Sequence, residues 1–150
     1  MVTNGYLNYQ QNHLESNKMT QIDKLAWIEI QDKKILSTKS FGKDKYYIPG
    51  GKREANETDS QTLLREIKEE LTVDLDSNSL QLIGIFEAHA HGHQADVSVK
   101  MTCYSANFTG VLKPCSEIEE MVWLTMADRD KISKVDQAIF DYLHQNKWIE

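Results

Sequence analysis

Glu66, Glu69 and Glu70 stand at positions i, i+3 and i+4, a spacing that gathers three carboxylates within about 100° of one helix face. Like charges so placed destabilise an isolated helix by roughly 0.2–0.5 kcal/mol per pair, and an arginine four residues before the middle one offsets only part of that. That arginine is Arg65. Oxygen donors converging from one rigid element suit Mg2+ or Mn2+, hard cations that accept carboxylates, keep several waters and bridge to phosphates. The upstream pair Gly50-Gly51 lets a backbone carbonyl approach the same place. Taken alone, the three glutamates read equally well as a solvated helix face.

The elements that must position them are legible around this stretch. Thr58, with Gln61 three residues later, makes a capping box, so a helix is expected from about Asp59 to Leu71. Leu64, Ile67 and Leu71 share its inward face. Upstream, the β-prone run from Lys24 to Gln31, the turn Asp32-Lys33 and the run that follows predict a hairpin. Tyr46, Tyr47 and Ile48 predict a short third strand ending at Pro49-Gly50-Gly51, with a loop from Lys52 to Glu57 leading to the helix. Downstream, strands are expected over Leu80–Ala90, Asp96–Phe108 and Met121–Thr125, with Gly92 at a turn. Alternation of Val97, Val99, Met101 and Cys103 with polar residues sends one face of the second strand to the core. A last amphipathic helix, Ser133–Gln145, turns Val135, Ile139, Tyr142 and Leu143 inward. The fold class is α+β, a mixed sheet between helices.

With 150 residues and 40% hydrophobic content, the chain suits one domain that needs no disulfide or structural metal. Its mean hydropathy of -0.55 leaves no room for a membrane span. A net charge of -6 without a basic cluster disfavours nucleic acid, whereas a small phosphate compound can still bind through divalent cations. Cys103 and Cys115 fit neither a zinc nor a redox spacing; both are read as reduced and structural, in a cytoplasmic protein. Residues 1–18 are polar, lack a signal peptide's apolar stretch and read as a flexible N-terminal extension to a domain spanning 19–150.

From Gly51, five intervening residues lead to Glu57 and seven more to Arg65-Glu66-Ile67-Lys68-Glu69-Glu70-Leu71-Thr72-Val73. This array, after a strand and a glycine turn and opening a helix, resembles the Nudix box of the MutT-like hydrolases at every defined position but one. The departure is Thr72, where the family has a glycine that ends the helix in a left-handed conformation. A β-branched residue adopts that conformation at a cost of roughly 1 kcal/mol or more, so the helix end is expected to differ slightly.

The resemblance implies a Nudix fold, an α/β/α sandwich, and cleavage of a phosphoanhydride bond in a nucleoside diphosphate-linked compound by metal-activated water. It implies that Glu66, Glu69 and Glu70, with the Gly50 carbonyl, hold Mg2+ or Mn2+ or the attacking water. It makes Glu69 the favoured base, with Glu66 as the alternative, Arg65 the residue that orients the carboxylates, and Gly51 and Glu57 their support. A further carboxylate outside the box often completes such sites, and Glu117, Glu119 and Glu120 are candidates, although strand-edge solvation explains any one of them equally well. His89, His91 and His93 alternate near the expected site; they read as an exposed loop, as phosphate contacts or acid help, or least readily as zinc ligands. Tyr46, Tyr47, Trp27 and Trp123 could stack a base, though strands favour packed aromatics.

The window Ala88–His91 carries neither the proline of ADP-ribose enzymes nor the tyrosine of dinucleoside polyphosphate enzymes. A nucleoside di- or triphosphate is therefore the expected substrate, and a homodimer is compatible with the family. The alternative is a catalytically silent Nudix module that senses a nucleotide or nucleotide sugar; loss of a box glutamate would mark it, and none is lost.

Overall fold

Leu25, Ala26, Trp27 and Ile28 are all at most 4% exposed, which an extended chain achieves only when both of its faces are covered. In a computed structural model, which describes residues 20–89 and 96–150, Leu25 and Trp27 enter one apolar cluster and Ala26 and Ile28 another. Strand β1 (Thr20–Trp27) thus divides two cores. It pairs in parallel with β7 (Val97–Ser105), from Thr20 opposite Val97 to Trp27 opposite Tyr104. The short β4 (Gly50–Lys52) flanks β1 and β6 (Gln81–His89) flanks β7, both antiparallel, giving a mixed sheet of order β4-β1-β7-β6. A second sheet joins β2 (Ile30–Gln31), β3 (Lys34–Ser40) and β9 (Ile118–Leu124) in that order, and β5 (Asp74–Leu75) pairs with β8 (Phe108–Thr109).

Helix α1 (Asp59–Leu71) supplies Leu63, Ile67 and Leu71 to the cluster holding Leu25, Trp27 and Leu36. Helix α2 (Lys134–Gln145) supplies Val135, Ile139, Phe140 and Leu143 to the cluster holding Ala26, Met101 and Cys103. A mixed sheet between two helices is the α+β sandwich that the order of elements predicts.

Several local expectations change. The run Lys24–Gln31 is not one strand, because β1 begins at Thr20 and belongs to the first sheet while β2 forms the hairpin with β3 across Asp32-Lys33. Tyr46–Ile48 makes only single bridges, Thr38 to Tyr47 and Tyr46 to Ile132. The strand there is Gly50–Lys52, made of the residues expected to end one. Gly50 packs so tightly on β1 that an added Cβ would stand 1.9 Å from the Leu25 carbonyl oxygen.

Strand β7 is covered on both faces, since Ser98 and Thr102 are buried along with Met101 and Cys103; it is an inner strand of the sheet. On α1, Leu63 is fully buried while Leu64 is only partly so. On α2, Phe140 is buried and Tyr142 stands 36% exposed. Cys103 is buried and Cys115 exposed, both as free thiols. Residues 1–18, His91, Gly92 and His93 lie outside the described residues.

Candidate active site

Helix α1 begins where its sequence says it should. Thr58 Oγ1 accepts from the Gln61 amide at 3.1 Å and Gln61 Oε1 accepts from the Thr58 amide at 2.9 Å, which closes the capping box. Four residues further on, the Arg65 guanidinium lies under the loop before the helix. Its Nε donates to Glu57 Oε2 at 2.8 Å and its Nη2 to Glu57 Oε1 at 2.8 Å, while Nη1 reaches Glu66 Oε1 at 2.9 Å. Nη2 also meets the Lys52 carbonyl at 3.2 Å. This two-pronged contact is the strong form of an ion pair, and it holds the Glu57 carboxyl far below the usual range, at about 2. Glu57 Oε1 also accepts from Thr62 Oγ1 at 3.1 Å and from the Glu54 amide at 2.8 Å, so its carboxylate joins the loop to the helix.

The three helix glutamates occupy different surroundings. Glu70 is 6% exposed and its Oε2 accepts from the Gly50 amide at 3.2 Å; burial pushes its carboxyl up to about 8 against that hydrogen bond. The Gly50 N–H faces Glu70. Glu66 is half-buried and also raised, chiefly by burial and despite Arg65. It lies so close to Gly51 that a Cβ there would come within 2.4 Å of the carboxyl carbon; only glycine admits this approach. Glu69 is more open, with Arg65 Nη1 at 3.8 Å.

Among the described residues, no three metal-ligating side chains already converge. The chemistry of the set nevertheless fits a hard divalent cation. Two carboxylates, Glu66 and Glu70, border the two glycines in surroundings that penalise a bare negative charge, Glu69 stands on the same helix, and Glu117 adds a further negative field at both Glu66 and Glu70. A cation placed there relieves all of these at once.

Of the outlying candidates, Tyr47 and His89 line a cavity of about 480 Å³ that also contains Lys24, Met101 and Lys134. Tyr47 and Lys24 continue into a second cavity of about 300 Å³ that reaches Gly50, Gly51 and Glu70. The Lys24 ammonium lies 6.0 Å from the Tyr47 ring centre. Glu120 instead accepts a hydrogen bond from the Tyr46 hydroxyl, and Glu119 pairs with Lys39 at 3.4 Å; neither lines these cavities. His91 falls outside the described residues. Trp27 is fully buried, with its indole N–H directed to the Ala106 carbonyl at 3.3 Å, so it is no base platform.

Three residues of this region carry no recognisable signal in the sequence. Lys24 sits on a strand as an ordinary lysine. Arg53 occupies a loop position that the box leaves undefined. Asp136, in the first turn of α2, looks like a solvated residue at a helix start but is wholly buried, with Oδ2 accepting from the Ile48 amide at 3.0 Å.

The comparison with curated proteins returns no match. Among solved structures, the chain is similar to the E. coli ORF135 protein, with 20% identity over 86% of this chain and 92% of that one and a TM-score of 0.68. It is also similar to a putative Nudix hydrolase family member from Chromobacterium violaceum, with 24% identity over 85% and 79% and a TM-score of 0.64. A bifunctional NMN adenylyltransferase/ADP ribose pyrophosphatase from Francisella tularensis, complexed with AMP and a manganese ion, matches with 17% identity over 96% of this chain and 47% of that one, with a TM-score of 0.61. These likenesses show the fold. The model of the NUDIX domain matches residues 20–144, across the glycine cradle, the arginine-locked loop and the acidic helix, and the chain therefore belongs to the Nudix hydrolase family.

Proposed function

We propose that this protein hydrolyses a phosphoanhydride bond of a nucleoside di- or triphosphate, in the cytoplasm, with Mg2+ or Mn2+ held by Glu66, Glu69, Glu70 and the Gly50 carbonyl. The observation that carries this reading is the Arg65–Glu57 lock, which fixes the loop after β4, and with it Gly51, against the helix face bearing the glutamates. The AMP and manganese in the Francisella tularensis structure belong to that protein and support the reading by kinship. Among the described residues, no helix is long and apolar enough to cross a membrane.

When bound, the divalent ion supplies charge neutralisation on the phosphoanhydride oxygens and activation of water. The chain's own groups do the rest. Glu69, the more open of the three, takes the proton of the attacking water, with Glu66 as the alternative base. Arg65 keeps Glu66 turned toward Gly51, and Glu57 keeps Arg65 in place. The Lys24 ammonium, at the junction of the two cavities, favours an anion passing between them. The larger cavity, floored by Met101 and Val99 and edged by Tyr47, suits the nucleoside portion.

A panel of nucleoside di- and triphosphates and nucleotide sugars, assayed with Mg2+ and with product identification, tests the proposal. Turnover is expected to vanish with chelator and to return with Mg2+ or Mn2+. Turnover that persists in EDTA would remove the metal mechanism, and binding of every nucleotide without any product would favour a sensing module.

A further inference from the structure

We propose that Arg53 is a positioning residue for the acidic helix, setting metal affinity through the loop between Gly51 and Glu57; this rests on the metal reading above. Its side chain is 26% exposed and reaches three parts of the fold. Nε donates to Asp23 Oδ2 on β1 at 3.0 Å, and Nη2 donates to Asp59 Oδ1 in the first turn of α1 at 2.5 Å. Nη1 donates to the Glu57 carbonyl at 3.0 Å. The Arg53 amide also donates to the Asp23 carbonyl at 3.2 Å, and the Tyr104 hydroxyl on β7 holds the other Asp59 oxygen at 2.5 Å.

Two arginines therefore grip Glu57 from different sides, Arg65 by its carboxylate and Arg53 by its main chain. Both hold the end of the loop that follows Gly51, and the Glu66 carboxyl packs against that glycine. A displaced loop would carry Glu57 and the Arg65 guanidinium with it, and Arg65 Nη1 holds Glu66, whose helix also bears Glu69 and Glu70. An isolated surface ion pair contributes little. A guanidinium fork shared by two carboxylates and a carbonyl fixes geometry as well as charge, and lysine cannot reproduce it. Without Arg53, Asp23 and Asp59 would face each other as like charges across the loop. The box leaves residue 53 undefined, so this brace is a feature of the present chain.

The test is Mn2+ binding to the substrate-free protein, followed by electron paramagnetic resonance, with folding checked by circular dichroism and thermal melting. Arg53→Met is expected to weaken Mn2+ binding by about tenfold or more, the size typical of residues that hold metal ligands in place. Arg53→Lys should fall between that variant and the wild type, and Tyr104→Phe should shift in the same direction by less. Arg129→Met serves as the comparison, since it removes the Arg129–Asp141 pair, with contacts of 2.8 and 2.9 Å, without touching the loop. It should leave Mn2+ binding unchanged. The proposal is overturned if folded Arg53→Lys and Tyr104→Phe both bind Mn2+ like the wild type, or if Arg129→Met weakens binding as much as Arg53→Met. A wild-type protein that binds no Mn2+ would overturn the metal reading and this one with it.

Discussion

Glu57 and Glu70 belong to the same motif, yet their surroundings drive their carboxyls in opposite directions. The Arg65 fork holds Glu57 at about 2, so it remains an anion and serves as a tether. Burial lifts Glu70 to about 8, so its charge is costly unless a positive charge faces it. Glu69 has neither a fork nor deep burial, and it is the residue proposed as the base. Glu69→Gln is expected to lower Mg2+-dependent turnover roughly 10²-fold or more, the usual contribution of a general base, while the protein keeps its melting temperature. Full activity in the folded variant would rule Glu69 out, and a loss seen instead in Glu66→Gln would transfer the role to Glu66. These residues were legible because i, i+3 and i+4 positions share a helix face whatever the rest of the fold does. Arg53 and Lys24 were not, because their partners Asp23, Asp59 and Tyr47 come near them only through strand pairing and loop closure.

The end of α1 shows how a neighbouring loop can settle a local conflict. Thr72 adopts the left-handed conformation after all, with φ 64° and ψ 12°, so the helix ends where a glycine would end it. The segment beyond β8 covers that end. The Lys113 amide donates to the Leu71 carbonyl at 3.1 Å, the Cys115 amide to the Glu70 carbonyl at 2.9 Å, and Thr72 Oγ1 to the Val111 carbonyl at 3.1 Å. The hydroxyl contact offsets part of the backbone strain, since such a bond contributes about 0.5–1.5 kcal/mol. Thr72→Val keeps the shape and the strain but loses the bond, and should lower Tm by about 2–4 °C. Thr72→Gly removes both strain and bond, and should stay closer to the wild type. Calorimetry decides, and an unchanged Tm for Thr72→Val would show that the bond contributes nothing.

At the scale of the whole molecule, the contact between α2 and the sheet carries a pH signature. Asp136 is wholly buried, with Oδ1 lacking a partner among the described residues and Oδ2 holding the Ile48 amide. Burial lifts its carboxyl to about 7, against the Ile48 hydrogen bond, the Lys24 charge from β1 and Ser133; burial first, and the Asp136 charge second, raise both Tyr47 and Cys103. The folded value lies above the unfolded value of about 4. The neutral acid is therefore favoured by folding, and stability is complete below about pH 4 for this group and lost as pH rises through about 7. Tm should fall between about pH 5 and about pH 8. Asp136→Asn, which keeps an acceptor for Ile48, should flatten that fall by on the order of 5 °C. Glu66 and Glu70 are raised as well and keep a residual slope. Scanning fluorimetry at the two pH values is the measurement, and equal slopes in both proteins would refute the assignment.

The glutamate-bearing stretch was determined by the sequence itself: the capping box, the span Asp59–Leu71 and the shared face of the three carboxylates. Each depends on contacts within a few residues, where helical period and cap chemistry act directly. Tertiary structure decided the rest. The polar start of β1 is a strand only because it lies parallel to β7, and Gly50–Lys52 is a strand only because two glycines admit close approach to β1. Glu70 and Asp136 are written as surface residues, yet packing against distant elements removes them from water. Burial and long-range pairing belong to the assembled molecule, and no local pattern of residue types encodes which distant surface will cover a given side chain.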